Sequence, residues 1–156
     1  MAAIGKVSLR GITHDDFQYT FLVKTGAGTD AVIADAGVKA VSLDTSAANT
    51  VKLAVDGDKI LGRLEVYEDR TVEGIVTGTV ALKGGVKFIV NPDATDSPDE
   101  TPAVGDYLVG AADDDSVAGY VRKATSGEYQ AGKDNWLVVE VGTDTAGNDY
   151  AIAINV

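Results

Sequence analysis

The chain contains no cysteine and only one histidine, one methionine and one tryptophan among its 156 residues. Without cysteine there are no disulfides and no thiolate metal sites, which favours assembly in a reducing compartment. With a single histidine, a zinc site of ordinary composition is close to excluded. A nucleophilic triad would have to recruit His14, which stands beside Asp15 and Asp16 in a turn-like stretch. No serine sits in a Gly-x-Ser-x-Gly elbow to partner it. No uninterrupted apolar run approaches about 18 residues, the length a membrane-spanning helix needs. Met1 to Lys6 has no apolar segment of the secretory-signal type. Basic residues are also scarce, 13 against 24 acids, for a net charge of −11. Such a chain repels phosphate backbones and anionic membranes, and no basic cluster offsets that. The expectation is a soluble protein without cofactor, nucleic-acid partner, membrane partner or enzymatic activity.

What the chain does have is glycine, 18 residues of it, set between short apolar runs. Val51 to Val90 is the densest example. Asp56-Gly57 lies between Val51–Val55 and Ile60–Val66, and Gly84-Gly85 between Ile75–Leu82 and Val86–Val90. Both pairs predict tight hairpins, since glycine accepts a positive φ without steric cost. Leu64 and Val66 are expected on one strand face, Arg63 and Glu65 on the other. Gly62, Gly74 and Gly78 suggest bulges or tight bends in a strongly twisted sheet. At ~1 kcal/mol per interior glycine, a helix here is disfavoured.

Elsewhere, Val7–Arg10 reads as a short strand, and Phe17, Tyr19, Phe21 and Val23 alternate with Gln18, Thr20 and Lys24. Rings on one strand face will bury against the protein's own core or against a partner. The stretch Ala31–Ala40 fits a helical turn or a loop equally well, and Val41–Leu43 reads as a strand. From Asn91 to Asp115 there are eight acids and no Lys or Arg, and all three prolines fall at 92, 98 and 102. Proline removes a ladder donor, so Asn91–Pro102 is expected to be a long acidic surface loop rather than a central strand. Tyr107–Val109 and Ala118–Val121 read as strands around the acidic turn at Asp113–Ser116. Trp136–Val141 and Tyr150–Val156 read as a terminal hairpin, with Leu137, Val139 and Val141 on one face and Ile152, Ile154 and Val156 on one face. The predicted class is all-β, a small antiparallel barrel or sandwich. The expected division is an N-terminal segment over 1–39, forming a short arm and contact region, and a β-rich core over 40–156.

Calcium takes oxygen ligands, and Asp113–Asp115 or Asp144–Asp149 offer some. Neither has the EF-hand spacing, and Asp, Asn and Gly are what ordinary turns require. Gly26-Ala27-Gly28 lacks the third glycine of a dinucleotide loop. Paired carboxylates for glycoside hydrolysis depend on a separation that sequence does not show.

The order of segments from residue 40 onward carries a resemblance. Val51–Asp58 leads to Ile60-Leu61-Gly62-Arg63-Leu64, then Gly78-Thr79-Val80, then Val104-Gly105-Asp106-Tyr107-Leu108-Val109-Gly110 and Gly119-Tyr120-Val121. Over residues 40–123 this resembles the capsid decoration, or cement, proteins of tailed double-stranded DNA bacteriophages. The resemblance implies a β-rich structural protein made in a host bacterial cytoplasm and carried on the outer capsid surface of the virion. Its partners would be the major capsid protein and itself, a homotrimer being the expected form. Val7, Leu9, Phe17, Tyr19 and Phe21 are the residues expected at such capsid or subunit contacts. The alternative is a carbohydrate- or receptor-binding β module displayed on a particle.

Overall fold

A computed structural model describes residues 18–24, 39–70, 72, 75–96, 100–112, 117–133 and 135–156. The described chain is β throughout apart from two short helical pieces. Ten strands run in order: β1 (Gln18–Val23), β2 (Ala40–Leu43), β3 (Thr50–Leu53), β4 (Gly62–Arg70), β5 (Ile75–Ala81), β6 (Gly85–Ile89), β7 (Leu108–Ala112), β8 (Ala118–Lys123), β9 (Trp136–Thr143) and β10 (Asp149–Asn155). A single-turn helix α1 (Ser126–Gln130) precedes β9, and a 3-10 turn covers Pro92–Asp96.

Five strands close a barrel in the order β1-β3-β2-β4-β5. The all-β barrel matches the sequence reading, with one departure: β1 and β3 run parallel, Leu22 opposite Thr50 and Val23 opposite Val51. Gln18–Val23, assigned by sequence to the N-terminal segment, is thus the strand that joins β3 to β5. The remaining strands form a three-stranded sheet β6-β10-β9 and a β7-β8 hairpin. Single bridges Val90–Val121 and Tyr107–Leu137 link these two pieces at both ends, so they too run round a ring.

Each group encloses its own apolar core. The barrel interior holds Val23, Val41, Val51, Leu53, Leu64, Val76 and Val80. The second core gathers Ile60, Phe88, Leu108, Val121, Trp136 and Val138, with Ala151 and Ala153 beneath them. Phe88 and Trp136 meet edge to face, ring centroids 5.0 Å apart, an arrangement the ring quadrupoles favour. The Trp136 indole N–H donates to the Ile60 carbonyl, so the ring is buried without an unpaired donor.

Both expected glycine hairpins are corrected. Gly57 and Gly84 do adopt φ of 71° and 91°. Yet β3 pairs with β1 and β2, and β4 with β2 and β5, so the chain leaves the Asp56-Gly57 turn into a different neighbour. Across Gly84, β5 stays in the barrel and β6 pairs with β10. A tight turn reverses the chain locally, but the partner is chosen by which apolar face each strand must bury.

Of the expected faces of the terminal hairpin, that of β10 holds, with Ile152 and Ile154 together, and that of β9 is corrected, because a bulge pairs Leu137 with Ile154 but Val141 with Ala151. The pairing of β9 with β10 is as read, but Trp136, Val138, Ala151 and Ala153 turn inward. Leu137, Ile152 and Ile154 stand half-buried on the outside. Small alanines fit under the Trp136 and Phe88 rings where the larger side chains would not.

The expected acidic loop is not an unbroken exposed strip. Asn91 is buried, its amide N–H donates to the Val121 carbonyl and its side chain to the Ala112 carbonyl. Ala94 is fully buried, and the Thr101 hydroxyl returns to bond its carbonyl at 2.9 Å. Residues 97–99 lie outside the described set, as do Val7–Arg10, His14–Asp16, 31–38 and the 113–116 turn.

Candidate functional site

The predicted contact residues are only partly in view. Val7, Leu9 and Phe17 lie outside the described residues. Tyr19 and Phe21 lie on β1 opposite Val80 and Gly78 of β5. Strand alternation carries Tyr19, Phe21 and Val23 along one face, but not to one depth. Val23 is buried, Phe21 is half-buried against the barrel core, and Tyr19 is 66% exposed at the barrel end. The two rings lie 6.2 Å apart and tilted by 46°. Phe21 sits across from Gly78, where a Cβ would come within 2.8 Å of Val23 Cγ2 and closer still to Leu64 Cδ1. Gly78 therefore makes room for the packing of Val23 and Leu64, and of the pair only Tyr19 presents a large exposed surface.

A second surface was not anticipated from sequence. On the outer side of the barrel, the pairings align Thr20, Thr79 and Val66 in one row across β1, β5 and β4, and Leu22, Thr77 and Glu68 in the next. Leu22, Val66 and Ile75 are all exposed there. The face is aliphatic and threonine-rich, with Glu68 its one acid in these two rows, on a chain with net charge −11. A bulge creates it: Leu64 pairs with Val80 but Val66 with Thr79, so Glu65 is an extra residue on β4. The inserted residue turns Val66 from the core face to the outer one. The sequence carries no mark of this beyond the nearby Gly62.

A cavity of about 300 Å³ opens beside β2, lined by Ser42, Leu43, Thr45, Asp58, Ile60 and Asn135 among others. Asp58 Oδ2 accepts from the Ser42 hydroxyl at 2.9 Å, the Val55 amide at 3.1 Å and Lys52 Nζ at 2.8 Å. Burial pushes its pKa upward, but the hydrogen bonds from Lys52, Val55 and Ser42 outweigh that and leave it below the ordinary value. A carboxylate so held is a weak base for Ser42, so this contact does not activate the hydroxyl. The Asn135 side-chain amide donates to the Ile60 carbonyl, and its own buried carbonyl oxygen has no partner among the described residues.

Arg122, buried on β8, binds Asp56 Oδ1 at 2.7 Å and Glu128 Oε1 and Oε2 at 2.8 and 3.0 Å. Glu128 also closes a capping box with Thr125 at the start of α1. The Arg122 guanidinium is the main cause of the Glu128 pKa falling to about 2. Lys133 Nζ reaches the Gly57 carbonyl. The group staples the Asp56-Gly57 turn to α1, and all its strong donors are spent on its own chain.

Among the described residues no three His, Cys, Asp or Glu side chains are placed to hold a metal ion. No described helix is long and apolar enough to cross a membrane. No family model, curated protein or solved structure matches this chain.

Proposed function

We propose that the protein is a structural virion component that binds the outer surface of a phage capsid and stabilises it. In this reading the major capsid protein is its partner, a trimer its working form and the shell exterior its location. The support is the segment order of residues 40–123, together with one structural observation. The chain is strongly acidic, yet the β1-β5-β4 barrel face is aliphatic and threonine-rich, with Leu22, Val66 and Ile75 exposed beside the Tyr19 end. Interfaces rest on a few such apolar anchors with polar groups at the rim, and a monomer's surface gains nothing from keeping them bare.

The test is co-sedimentation with tailed-phage capsids lacking their decoration protein. Removing residues 1–24 would delete β1, the strand between β3 and β5, so the informative variants are a deletion of residues 1–17 and the substitutions Tyr19→Ser and Val66→Asp. Loss of shell binding with an intact fold supports the reading. Undiminished binding in all three, or none by the parent protein to any shell, overturns it.

The second reading is a carbohydrate- or receptor-binding module, for which the cavity beside Ser42, Asp58 and Asn135 is the supporting observation. Glycan-array binding without capsid binding would favour it.

A further inference from the structure

The ladder between β2 and β4 stops short of the end of β2. Ala40 and Val41 lie opposite Arg63 and Gly62, and the Leu61 amide donates to the Val41 carbonyl. On the other side of β2, the Ala40 carbonyl accepts from the Ala54 amide, and the Asp44 amide donates to the Thr50 carbonyl. Ala40, Ser42 and Asp44 therefore turn their backbone groups toward β3, and Val41 and Leu43 turn theirs toward the chain preceding β4. At Val41 that chain answers; at Leu43 it has moved away. The N–H and C=O of Leu43, and those of Lys59 next across, have no partner among the described residues. An open strand edge of this kind invites another strand.

The gap is the cavity of about 300 Å³ beside β2. Leu43, 52% exposed, and the half-buried Leu61 give it apolar walls. Most of its side-chain donors are spent within the chain. The Ser42 hydroxyl bonds Asp58, Lys59 Nζ bonds the Gly132 carbonyl at 2.8 Å, and the Asn135 amide bonds the Ile60 carbonyl. One acceptor is left over: Asn135 Oδ1 is buried without a partner among the described residues, which costs free energy until a donor reaches it. A strand lip with an open N–H and C=O, an apolar wall and an unfilled acceptor together match a peptide in extended form. A sugar matches less well. No aromatic ring lines the cavity, and Asp58 Oδ2 already holds three donors from its own chain.

We infer that this cleft is a strand-addition site for an extended peptide segment of a partner protein, with an apolar residue inside and basic residues flanking it. The apolar residue lies opposite Leu43, exchanging backbone hydrogen bonds with it, and the next N–H of the peptide faces Asn135 Oδ1. Charge sets the pattern of the peptide. Asp58 is balanced by Lys52 at 2.8 Å, whereas the Lys59 ammonium meets only a carbonyl, which disfavours a cation within the cleft. Beyond the cleft the peptide enters the field of a chain carrying −11, which attracts basic flanks and repels acidic ones. The site stands at the lower end of the ~300–1,000 Å³ range of ligand cavities, so it holds a short segment and binds it weakly. The inference rests on the second reading above, in its receptor-binding form, and not on the capsid reading.

The experiment is a heteronuclear NMR titration of the full chain with the tripeptide acetyl-Lys-Val-Lys-amide. Beside it run the same peptide N-methylated at valine, acetyl-Glu-Val-Glu-amide, and methyl glucoside. The basic peptide is expected to shift the Leu43 and Lys59 amides and the Asn135 side-chain amide, to saturation. N-methylation removes one backbone donor and weakens binding about three- to tenfold, the worth of one net hydrogen bond. The acidic peptide binds less well, and salt narrows the difference by screening. Asn135→Leu weakens binding by a similar factor, while the Ile60 carbonyl keeps its bond from the Trp136 indole. Failure of the basic peptide to shift Leu43, or equal binding of its N-methylated form, overturns the inference. Shifts with the glucoside alone overturn it and leave the sugar form of the second reading standing, whereas silence from every probe removes the cavity's support for that reading as well. If Asn135→Leu fails to fold, the comparison of the two basic peptides on the parent protein decides the matter.

Discussion

Leu64 and Val66 lie two residues apart on one strand and stand on opposite faces of it, Leu64 fully buried and Val66 52% exposed. The bulge at Glu65 separates them, and their partners Val80 and Thr79 mark the change of face. Leu64→Ala should therefore cost about 2–5 kcal/mol by transfer and cavity terms. Val66→Thr should stay within ~0.5 kcal/mol, as surface substitutions do. Urea denaturation of the two variants checks this. Equal losses would mean that the bulge is misplaced.

The Arg122 cluster makes a second prediction. Replacing Arg122 by Ala strands the Glu128 carboxylate in a half-covered site and releases the Asp56-Gly57 turn from α1. Removing one partner of a buried ion pair costs up to ~3–5 kcal/mol, and the exposure of Asp56 argues for the lower end. The double variant Arg122→Ala/Glu128→Ala should lose less than the sum of the two single variants, because the pair is coupled. Additive losses in a thermal-melt cycle would contradict the bidentate contact.

Acid should weaken the fold over a defined window. Hydrogen bonds from the Ser46 hydroxyl and amide, helped by Lys24, hold Asp44 at about 2, against its ordinary 3.8. Glu128, paired with Arg122, is likewise held at about 2 instead of 4.5. A depressed folded-state pKa means the unfolded chain takes up the proton first. The stabilisation is present in full above the unfolded values, about pH 4.5, and is lost as pH falls toward 2. Glu128→Gln should lower stability at neutral pH and flatten its decline between those limits. An unchanged slope in an acid titration of unfolding free energy would remove Glu128 from the account.

Glycines separate by cause. A Cβ at Gly62 would collide with the Ala81 backbone carbonyl, and one at Gly78 with Leu64 and Val23. Alanine at either should destabilise by ~1–3 kcal/mol, with Gly62 the worse because backbone cannot move aside as a side chain can. Gly84 has open space but φ of +91°, so alanine there costs strain alone, about 1–2 kcal/mol. Gly127 in α1 has neither problem, and Gly127→Ala should stabilise by roughly 0.4–1 kcal/mol. Melting temperatures of the four variants should fall in that order.

How far the site was legible follows from these residues. Alternation in Phe17–Val23 placed Tyr19 and Phe21 on one strand face correctly, because a period of two is a local property of extended backbone. It did not grade their depth, since Phe21 packs against the core across from Gly78 of a distant strand while Tyr19, opposite Val80, stays largely exposed. The Leu22–Val66–Ile75 face was illegible, since it exists only once three strands align and one of them bulges.

The sequence by itself determined the class of the fold and the positions of its bends. Short apolar runs and glycine turns, with φ of 71° at Gly57 and 91° at Gly84, are local steric facts. It also determined the acidity that shapes every encounter, and the pairing of β7 with β8 and of β9 with β10. Tertiary structure alone decided that β3 and β4 part at Asp56-Gly57, that β1 runs parallel beside β3, and that alanines rather than isoleucines of β10 face the core. The reason is common to all three: strand partners and buried faces are chosen by the fit of side chains from distant parts of the chain, and no local pattern carries that information.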